Sequence, residues 1–510
     1  MEFPVPDWVA HHARTRPTTI ALRRVDTGES RTWLELERRV GSIAHAFSEE
    51  FGLGRGDCLA VISSGDVRSF ELQFACMRIG AVFAPLNFRL ALPELVNQCL
   101  ILKPRLIITD ADWEDVAKTI ASQVGIKELL SWGTGPGSEF DTLACSAHAL
   151  QERRGMNSEE VTLVLFTSGT TGVPKGATTT LGAMVWQAIN QIEFARVAEE
   201  GAHVLSPLPL FHAGGLHSLC NPILFFGGQV SICDRFDPAA CVTFAGNPAN
   251  RVTHMSLVPI MYQMMADVPE FEHADFSSMR AALVAGGRVS ERLRDQYAEK
   301  GVNFSSQYGA TETGPTVTAL NPLRVDKLLK GSCGQKVLSV DLRLVNSDGD
   351  DVKVDEPGEI WVRGPAVTKR YLNRDPALDF WQGWFRSGDI ATVDDEGFLY
   401  LVGRAKEMYK SGGENVYPFE VESILSDHPD IAEVSVIGVP DEKWGEVGLA
   451  VAVPKAGRTL TLESIRRHCE GRIARYKHPH ALEILEVLPR GPMNKIAKDA
   501  LRLRFGGRRA

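Results

Sequence analysis

The stretch "TSGTTGVPKG", residues 167 to 176, packs three Gly, four hydroxyl side chains, a Pro and a Lys into ten positions. It directly follows the apolar run "VTLVLF". A Gly-rich turn with a cation after a strand offers backbone N–H groups and positive charge to phosphate. The P-loop pattern G-x-x-x-x-G-K-[ST] fails here. Counted from Gly169, Pro174 replaces the second glycine, and Gly176 stands where a hydroxyl would hold magnesium. A surface turn uses the same turn formers, yet four hydroxyls and a lysine exceed what a turn needs. The loop therefore suits phosphate chemistry of another kind.

Further stretches carry chemically capable residues: "PLFHAGG" (209–215), "QYGATETG" (307–314), "WFRSGDIA" (384–391), "GRAKEMYKSGGENVYPFEVE" (403–422) and "PRGPMNKIAKDAL" (489–501). In this order and spacing, with the 167–176 loop, they resemble the adenylate-forming family of acyl-CoA synthetases, coumarate-CoA-type ligases, luciferases and peptide-synthetase adenylation domains. The resemblance covers nearly the whole chain. It implies an acyl-CoA synthetase, an acid–thiol ligase using ATP, Mg2+ and coenzyme A. A carboxylate is a poor acyl donor because oxide is a hopeless leaving group. Attack on the α-phosphorus of ATP gives acyl-AMP and pyrophosphate, and AMP then leaves readily when the CoA thiol attacks. The first step brings anions together, so it needs magnesium and cations where charge develops.

Roles follow from the resemblance. Thr167, Ser168, Gly169, Thr170, Thr171, Gly172 and Lys175 match the family's phosphate loop. Glu312 matches the magnesium carboxylate, with Thr167 beside it in the metal set and Thr311 as a phosphate contact. Tyr308 is expected to pack on adenine, and Gly309 to let backbone approach the nucleotide. Asp389 matches the acid that accepts both ribose hydroxyls, and Arg404 a nucleotide contact. Lys495 matches the adenylation lysine, although Asn494 precedes it where the family has Gly. Lys410 matches a lysine of the thioester step, Gly412 and Gly413 a narrow pantetheine passage, and Lys406 the hinge. Arg235 in "CDRFDP" aligns with a basic residue near the CoA phosphate. His212 matches the aromatic position at the acyl-pocket mouth, whose further wall is expected from Gly214, Val258, Pro259, Ala285, Gly286 and Gly287. His217 reads as structural, since two His without acidic partners make a poor metal site.

A buried α-ammonium needs a carboxylate partner, and no acid follows Phe211 until Asp234. An amino-acid substrate is therefore disfavoured. Fatty, aryl-propenoic and steroid side-chain acids stay open, as do a carrier protein as acceptor and, in a different class, a P-loop-like ATPase or phosphotransferase giving ADP.

These residues need elements to position them. "TWLELERRVGSIAHAFSEEFG" reads as a helix, with a Thr32–Glu35 capping box, a face of Leu36, Val40, Ile43, Ala44 and Phe47, and Gly52 as its stop. Short apolar strands "CLAVI", "LIITD", "LVLF", "HVLSP", "QVSIC" and "AALVA" alternate with helical patterns such as "SERLRDQYAEK". That alternation predicts an α/β fold with largely parallel sheets. After residue 330 hairpins take over: "DLRLVN", "GEIWVRG" and "IATVDDEGFLYLVG". Helices and strands from "PFEVESILSDH" to "LEILEVLP" predict a small α+β domain. The expected division is a large multi-subdomain α/β domain at 1–402, a hinge at 403–407 and a mobile C-terminal α+β domain at 408–510.

The 510 residues are 44% apolar and 23% charged, without a repeat array or disordered tract. The net charge of −9 argues against nonspecific nucleic-acid binding. From Gly403 onward, 18 Lys and Arg face 15 Asp and Glu, so the final segment is mildly basic. Nine Cys with no C-x-x-C fit reduced thiols in a cytoplasmic chain. "MEFPVPDWVA" lacks a signal-length apolar core, and no apolar run approaches 18 residues. The expected partner is a small carboxylic acid, with no nucleic acid and no membrane span; a homodimer stays open.

Overall fold

The computed structural model describes residues 2–133, 138–150, 156–167, 174–490 and 496–507. The chain divides into two units, Met1–Asp341 with Val362–Phe385, and Leu342–Trp361 with Arg386–Ala510. Residues 386–402 thus belong with the C-terminal part of the chain, and the segment 403–407 lies inside the second unit.

The first unit holds two large sheets. In one, the strands run Lys175–Thr180, Val161–Thr167, Val82–Leu86, Cys58–Ile62, Leu106–Asp110, Glu128–Trp132. All neighbours are parallel except the Val161–Thr167/Lys175–Thr180 hairpin. In the other, Phe304–Ala310, Ala281–Ala285, His254–Leu257, His203–Ser206, Gln229–Ile232 and Ile20–Arg24 form a parallel run. Gly314–Ala319 returns antiparallel beside Phe304–Ala310. These strands are buried on both faces, which is why they read as continuous apolar runs.

The predicted helix spans Trp33–Glu49, and both halves of its Thr32–Glu35 capping box are made. Its predicted face is fully buried, in one apolar cluster with Leu163, Leu216 and Ile223. Gly52 adopts φ 59°, two residues past the C-cap. The expected strands are present, and the sequence pattern missed others: Val82–Leu86, His254–Leu257 and Phe304–Ala310. The last of these is interrupted by the polar Ser305, Ser306 and Gln307, which hide its strand pattern.

The second unit contains the hairpin Trp384–Val393/Leu399–Arg404. It also contains a sheet in which the long pair Ile431–Asp441/Gly445–Pro454 is joined by Tyr409–Ser411, Glu414–Val416 and Ala481–Ile484. Strand alternation sorts Val434, Val436, Ala450 and Ala452 into one apolar cluster, and Ile437, Val439, Leu449 and Val451 into another. The helix expected over "LESIRRHCEGRIA" stops at Cys469, because Gly471 takes φ 72°. All nine cysteines are unpaired. No described helix is long and apolar enough to cross a membrane.

Candidate active site

Glu312 sits at the tip of a tight hairpin. Ala310 pairs with Gly314, leaving Thr311, Glu312 and Thr313 as the turn. Gly314 adopts φ 80° there, a left-handed conformation that favours glycine. Thr313 Oγ1 accepts from the Ala310 N–H at 2.9 Å, closing the turn. One carboxylate oxygen of Glu312, Oε1, accepts from Thr167 Oγ1 at 3.1 Å and from the Tyr371 hydroxyl at 2.7 Å. Its Oε2 takes no hydrogen bond among the described residues. The Glu312 carbonyl accepts from the Thr368 N–H, so the 368–371 segment is fastened to the same turn. Burial first, and then the Glu312 carboxylate, push the Tyr371 phenol far up, and it remains a donor. Sequence reasoning missed Tyr371, whose partner lies 59 positions away.

Thr167 and Lys175, the described ends of the segment expected to bind phosphate, are fixed. Lys175 pairs with Thr167 across the hairpin. Its Nζ lies 4.8 Å from the centre of the Tyr371 ring and 3.2 Å from Asp379 Oδ1; Arg374 also donates to Asp379. The lysine expected on phosphate is therefore held here by a carboxylate that the sequence did not single out. Ser168, Gly169, Thr170, Thr171 and Gly172 lie outside the described residues, as does Lys495.

Tyr308 is buried on the Phe304–Ala310 strand. A Cβ on Gly309 would lie 2.4 Å from the Pro315 carbonyl group, so the approach that demands glycine is made by the returning strand. Val258, Pro259, Gly286 and Gly287 come together at the strand ends. Cβ atoms built on the two glycines would meet Val258 Cγ1 at 3.7 Å and Pro259 Cγ at 3.1 Å, and Gly286 has φ 75°. Ala285 precedes them on its strand. His212 caps the short helix Ala213–Leu216, its Nδ1 accepting from the Gly214 N–H at 3.0 Å. His217 is fully buried; burial lowers its imidazole to about 3, and its Nδ1 meets Asn221 Nδ2 at 3.1 Å. A neutral buried imidazole agrees with its structural reading. Arg235 is exposed after the Gln229–Ile232 strand.

In the second unit, Asp389 and Arg404 face each other across the hairpin, with Arg404 Nε 2.8 Å from Asp389 Oδ1. The Asp389 N–H donates to Ser387 Oγ, which fixes the carboxylate's backbone. Lys406 lies in the 3-10 turn Ala405–Glu407. Glu407 and Glu422 both bind Lys498 Nζ, at 2.8 and 3.0 Å, a clamp missed in the sequence. Burial would raise the Glu407 carboxyl, but Lys498 beside it holds it below the usual range. Lys410 is exposed on Tyr409–Ser411. Ser411 pairs with Glu414, so Gly412 and Gly413 are a two-residue hairpin loop with φ 60° and 89°. That turn by itself favours glycine at both positions.

A cavity of about 450 Å³ lies at the opposite, N-terminal ends of the parallel strands, lined by Arg196, Arg251, Arg280 and Asn303. None of the motif residues reaches it, and Glu199 pairs with both Arg196 and Arg280. The motif residues Glu312, Ala285 and Val258 stand at the carboxyl ends, where open α/β sheets bind ligands.

The profile of the AMP-binding enzyme family matches residues 9–372, and that of the AMP-binding enzyme C-terminal domain matches residues 420–495. The chain belongs to the AMP-binding enzyme family. It is 37% identical over 513 residues to the indoleacetate–CoA ligase of Aromatoleum aromaticum, covering 97% of each chain. It is 37% identical over 501 residues to the feruloyl-CoA synthase of an Amycolatopsis species, covering 98% of each. Its structure matches the o-succinylbenzoate coenzyme A synthetase of Bacillus subtilis in complex with ATP and magnesium ion, with TM-score 0.84 and 29% identity over 98% of this chain and 100% of the other. The protein is an AMP-forming acid–CoA ligase that activates a carboxylic acid with ATP and transfers the acyl group to CoA. Its cofactors are ATP, Mg2+ and CoA.

Proposed function

We propose that the acid is aromatic and that the site residues divide between two half-reactions. The observation that carries the adenylation half is the Glu312 carboxylate: two hydroxyls hold one of its oxygens, and the other takes no hydrogen bond among the described residues. Hard oxygen donors on Glu312 and Thr167 suit magnesium, which, when bound with ATP, neutralises phosphate charge. The 167–175 loop and Lys175 hold the pyrophosphate end, Thr311 contacts phosphate, Tyr308 flanks adenine, and Asp389 takes the ribose hydroxyls beside Arg404. A substrate carboxylate oxygen then attacks the α-phosphorus while the bond to pyrophosphate breaks. Lys495 stabilises the charge that develops. In the second half-reaction the CoA sulfur attacks the acyl carbonyl and AMP departs. Here Lys410, Gly412, Gly413 and Arg235 serve CoA, after rotation about Lys406. The glycine-lined wall of Val258, Pro259, Ala285, Gly286 and Gly287, with His212 and Gly214 at its mouth, supports a broad, flat acid. So do relatives named for indoleacetate and ferulate. The reading includes a cytoplasmic location, supported by the unpaired thiols, and leaves a homodimer to be tested by sedimentation.

Aryl acids should drive exchange of labelled pyrophosphate into ATP without CoA. Lys495→Ala should lower that exchange by roughly a hundredfold or more yet still convert supplied acyl-AMP and CoA to thioester. Lys406→Pro, which fixes φ, should slow the thioester step and spare most of the exchange. Equal damage to both half-reactions in both variants would refute the division, and faster exchange with alkanoates than with any aryl acid would refute the aromatic substrate.

A further inference from the structure

The geometry points to the cavity at the amino ends of the parallel strands as a binding site for a diphosphate group, free or carried on a nucleoside. The site goes beyond the ligase reading and uses none of the residues assigned to it.

Three strand starts form the floor. Thr253 immediately precedes His254–Leu257, Ala282 is the second residue of Ala281–Ala285, and Val302 stands two residues before Phe304–Ala310. All three are buried and line the cavity. Val258, Ala285 and Tyr308 lie at or near the carboxyl ends of the same strands, so the length of the strands separates the two sites. The volume of about 450 Å³ falls within the range of small-molecule sites, roughly 300–1,000 Å³.

The charge of the lining selects the ligand. Arg196, Arg251 and Arg280 line the cavity, and no Asp or Glu is among its described lining residues. In a chain of net charge −9, three guanidinium groups around one concavity repel each other and focus a positive field. One carboxylate answers them. Glu199 Oε1 accepts from Arg196 Nε at 2.6 Å, and its Oε2 lies 3.6 Å from Arg280 Nη1. A single oxyanion therefore already sits between two of the guanidiniums, and it is an exposed side chain free to swing aside. Arg280 Nη1 also donates to the Glu200 carbonyl at 2.9 Å, which fixes its head. The Arg251 side chain has neither a carboxylate nor a hydrogen-bond partner among the described residues. Its backbone caps the Pro248–Asn250 turn at φ 50°. One negative charge against three positive leaves two unanswered. A simple carboxylic acid supplies one charge. A diphosphate supplies at least two, spread over oxygens that match the guanidinium fork. The apolar Met279 and Pro322 line the same cavity and offer a surface to a base, so a nucleoside can carry the diphosphate.

The test is equilibrium dialysis of labelled pyrophosphate, and separately of labelled ADP, against the full chain in magnesium-free buffer. Omitting the metal weakens binding at the catalytic site, whereas guanidinium groups need no metal. The wild type is expected to bind one equivalent under these conditions. Arg251→Ala should weaken that binding by about tenfold or more, the scale of a charge-assisted hydrogen bond. Glu199→Gln removes the competing carboxylate and should tighten it by about two- to fivefold, the scale of an exposed ion pair. A damaged fold does not mimic a gain in affinity. Both variants should keep the wild-type rate of pyrophosphate exchange into ATP, since neither residue belongs to the catalytic machinery. ADP held more tightly than pyrophosphate, with the same dependence on Arg251, identifies a nucleoside-borne diphosphate; otherwise the free ion is the ligand. Citrate that competes as well as pyrophosphate overturns the diphosphate assignment. The absence of metal-independent binding overturns the site, as does binding that Arg251→Ala fails to weaken or Glu199→Gln fails to tighten.

Discussion

Two carboxylates expected to meet the same nucleotide are held in opposite ways. Glu312 is held by neutral donors, Thr167 and Tyr371, through one oxygen. Asp389 is held by a cation, Arg404, whose own side chain is half exposed. Neutral donors fix a carboxylate's geometry without cancelling its charge. That suits a group that must present negative charge to a metal. A guanidinium balances the charge and leaves hydrogen-bond acceptance, which suits a group that must bind sugar hydroxyls. The difference teaches that residue type alone does not define a carboxylate's work; the charge of what holds it does.

The largest expected effect breaks the comparison on the Glu312 side. Glu312→Gln keeps the shape and removes the charge, so exchange should fall roughly a thousandfold, the upper range for loss of a charge-stabilising group. Titration with magnesium should not restore it. A loss under tenfold would show that charge at this position is dispensable. Asp389→Asn should instead raise the KM for ATP by about tenfold, the scale of one charge-assisted hydrogen bond, and change kcat less. If kcat fell as far as in Glu312→Gln, the two carboxylates would not differ in role.

Tyr371→Phe sharpens the contrast, because it removes one neutral donor and leaves the Glu312 charge. A few-fold loss of exchange is expected, at most about tenfold, with more magnesium needed for half-maximal rate. A separate effect is on stability. Burial lowers His203 and His254 to about 4 and His217 to about 3. Each folded imidazole stays neutral while its unfolded counterpart takes a proton below about pH 6.5. The unfolded state then binds more protons, so stability present above that pH is lost as the pH falls towards 4. The slope is about 1.4 kcal/mol per pH unit for each histidine. Thermal unfolding from pH 7.5 down to 5 should show Tm dropping before the carboxylates titrate; a flat Tm across that range would contradict neutral burial.

Much of this was legible in the chain. Apolar runs bounded by turn formers marked the strands Cys58–Ile62, Leu106–Asp110 and Ala281–Ala285, because burial on both faces leaves a local signature. The Thr32–Glu35 box marked its helix for the same reason, being a contact between residues three apart. Motif order named Glu312, Asp389, Arg404 and the loop ends Thr167 and Lys175. It gave Gly309 and Gly412 functional readings, whereas the structure shows a nearer cause for each, the Pro315 carbonyl group and a two-residue turn.

The sequence by itself thus determined the family, the reaction and the residue types at the site, because those depend on local order and side-chain chemistry. Tertiary structure alone decided what each group faces. Tyr371 and Asp379 stand 59 and 204 positions from the side chains they hold, and Lys498 stands 91 from Glu407. Gln307 meets Ala285 only through the register of two parallel strands. Parallel pairing brings distant segments side by side, and no local pattern in any one of them records which neighbour it will meet.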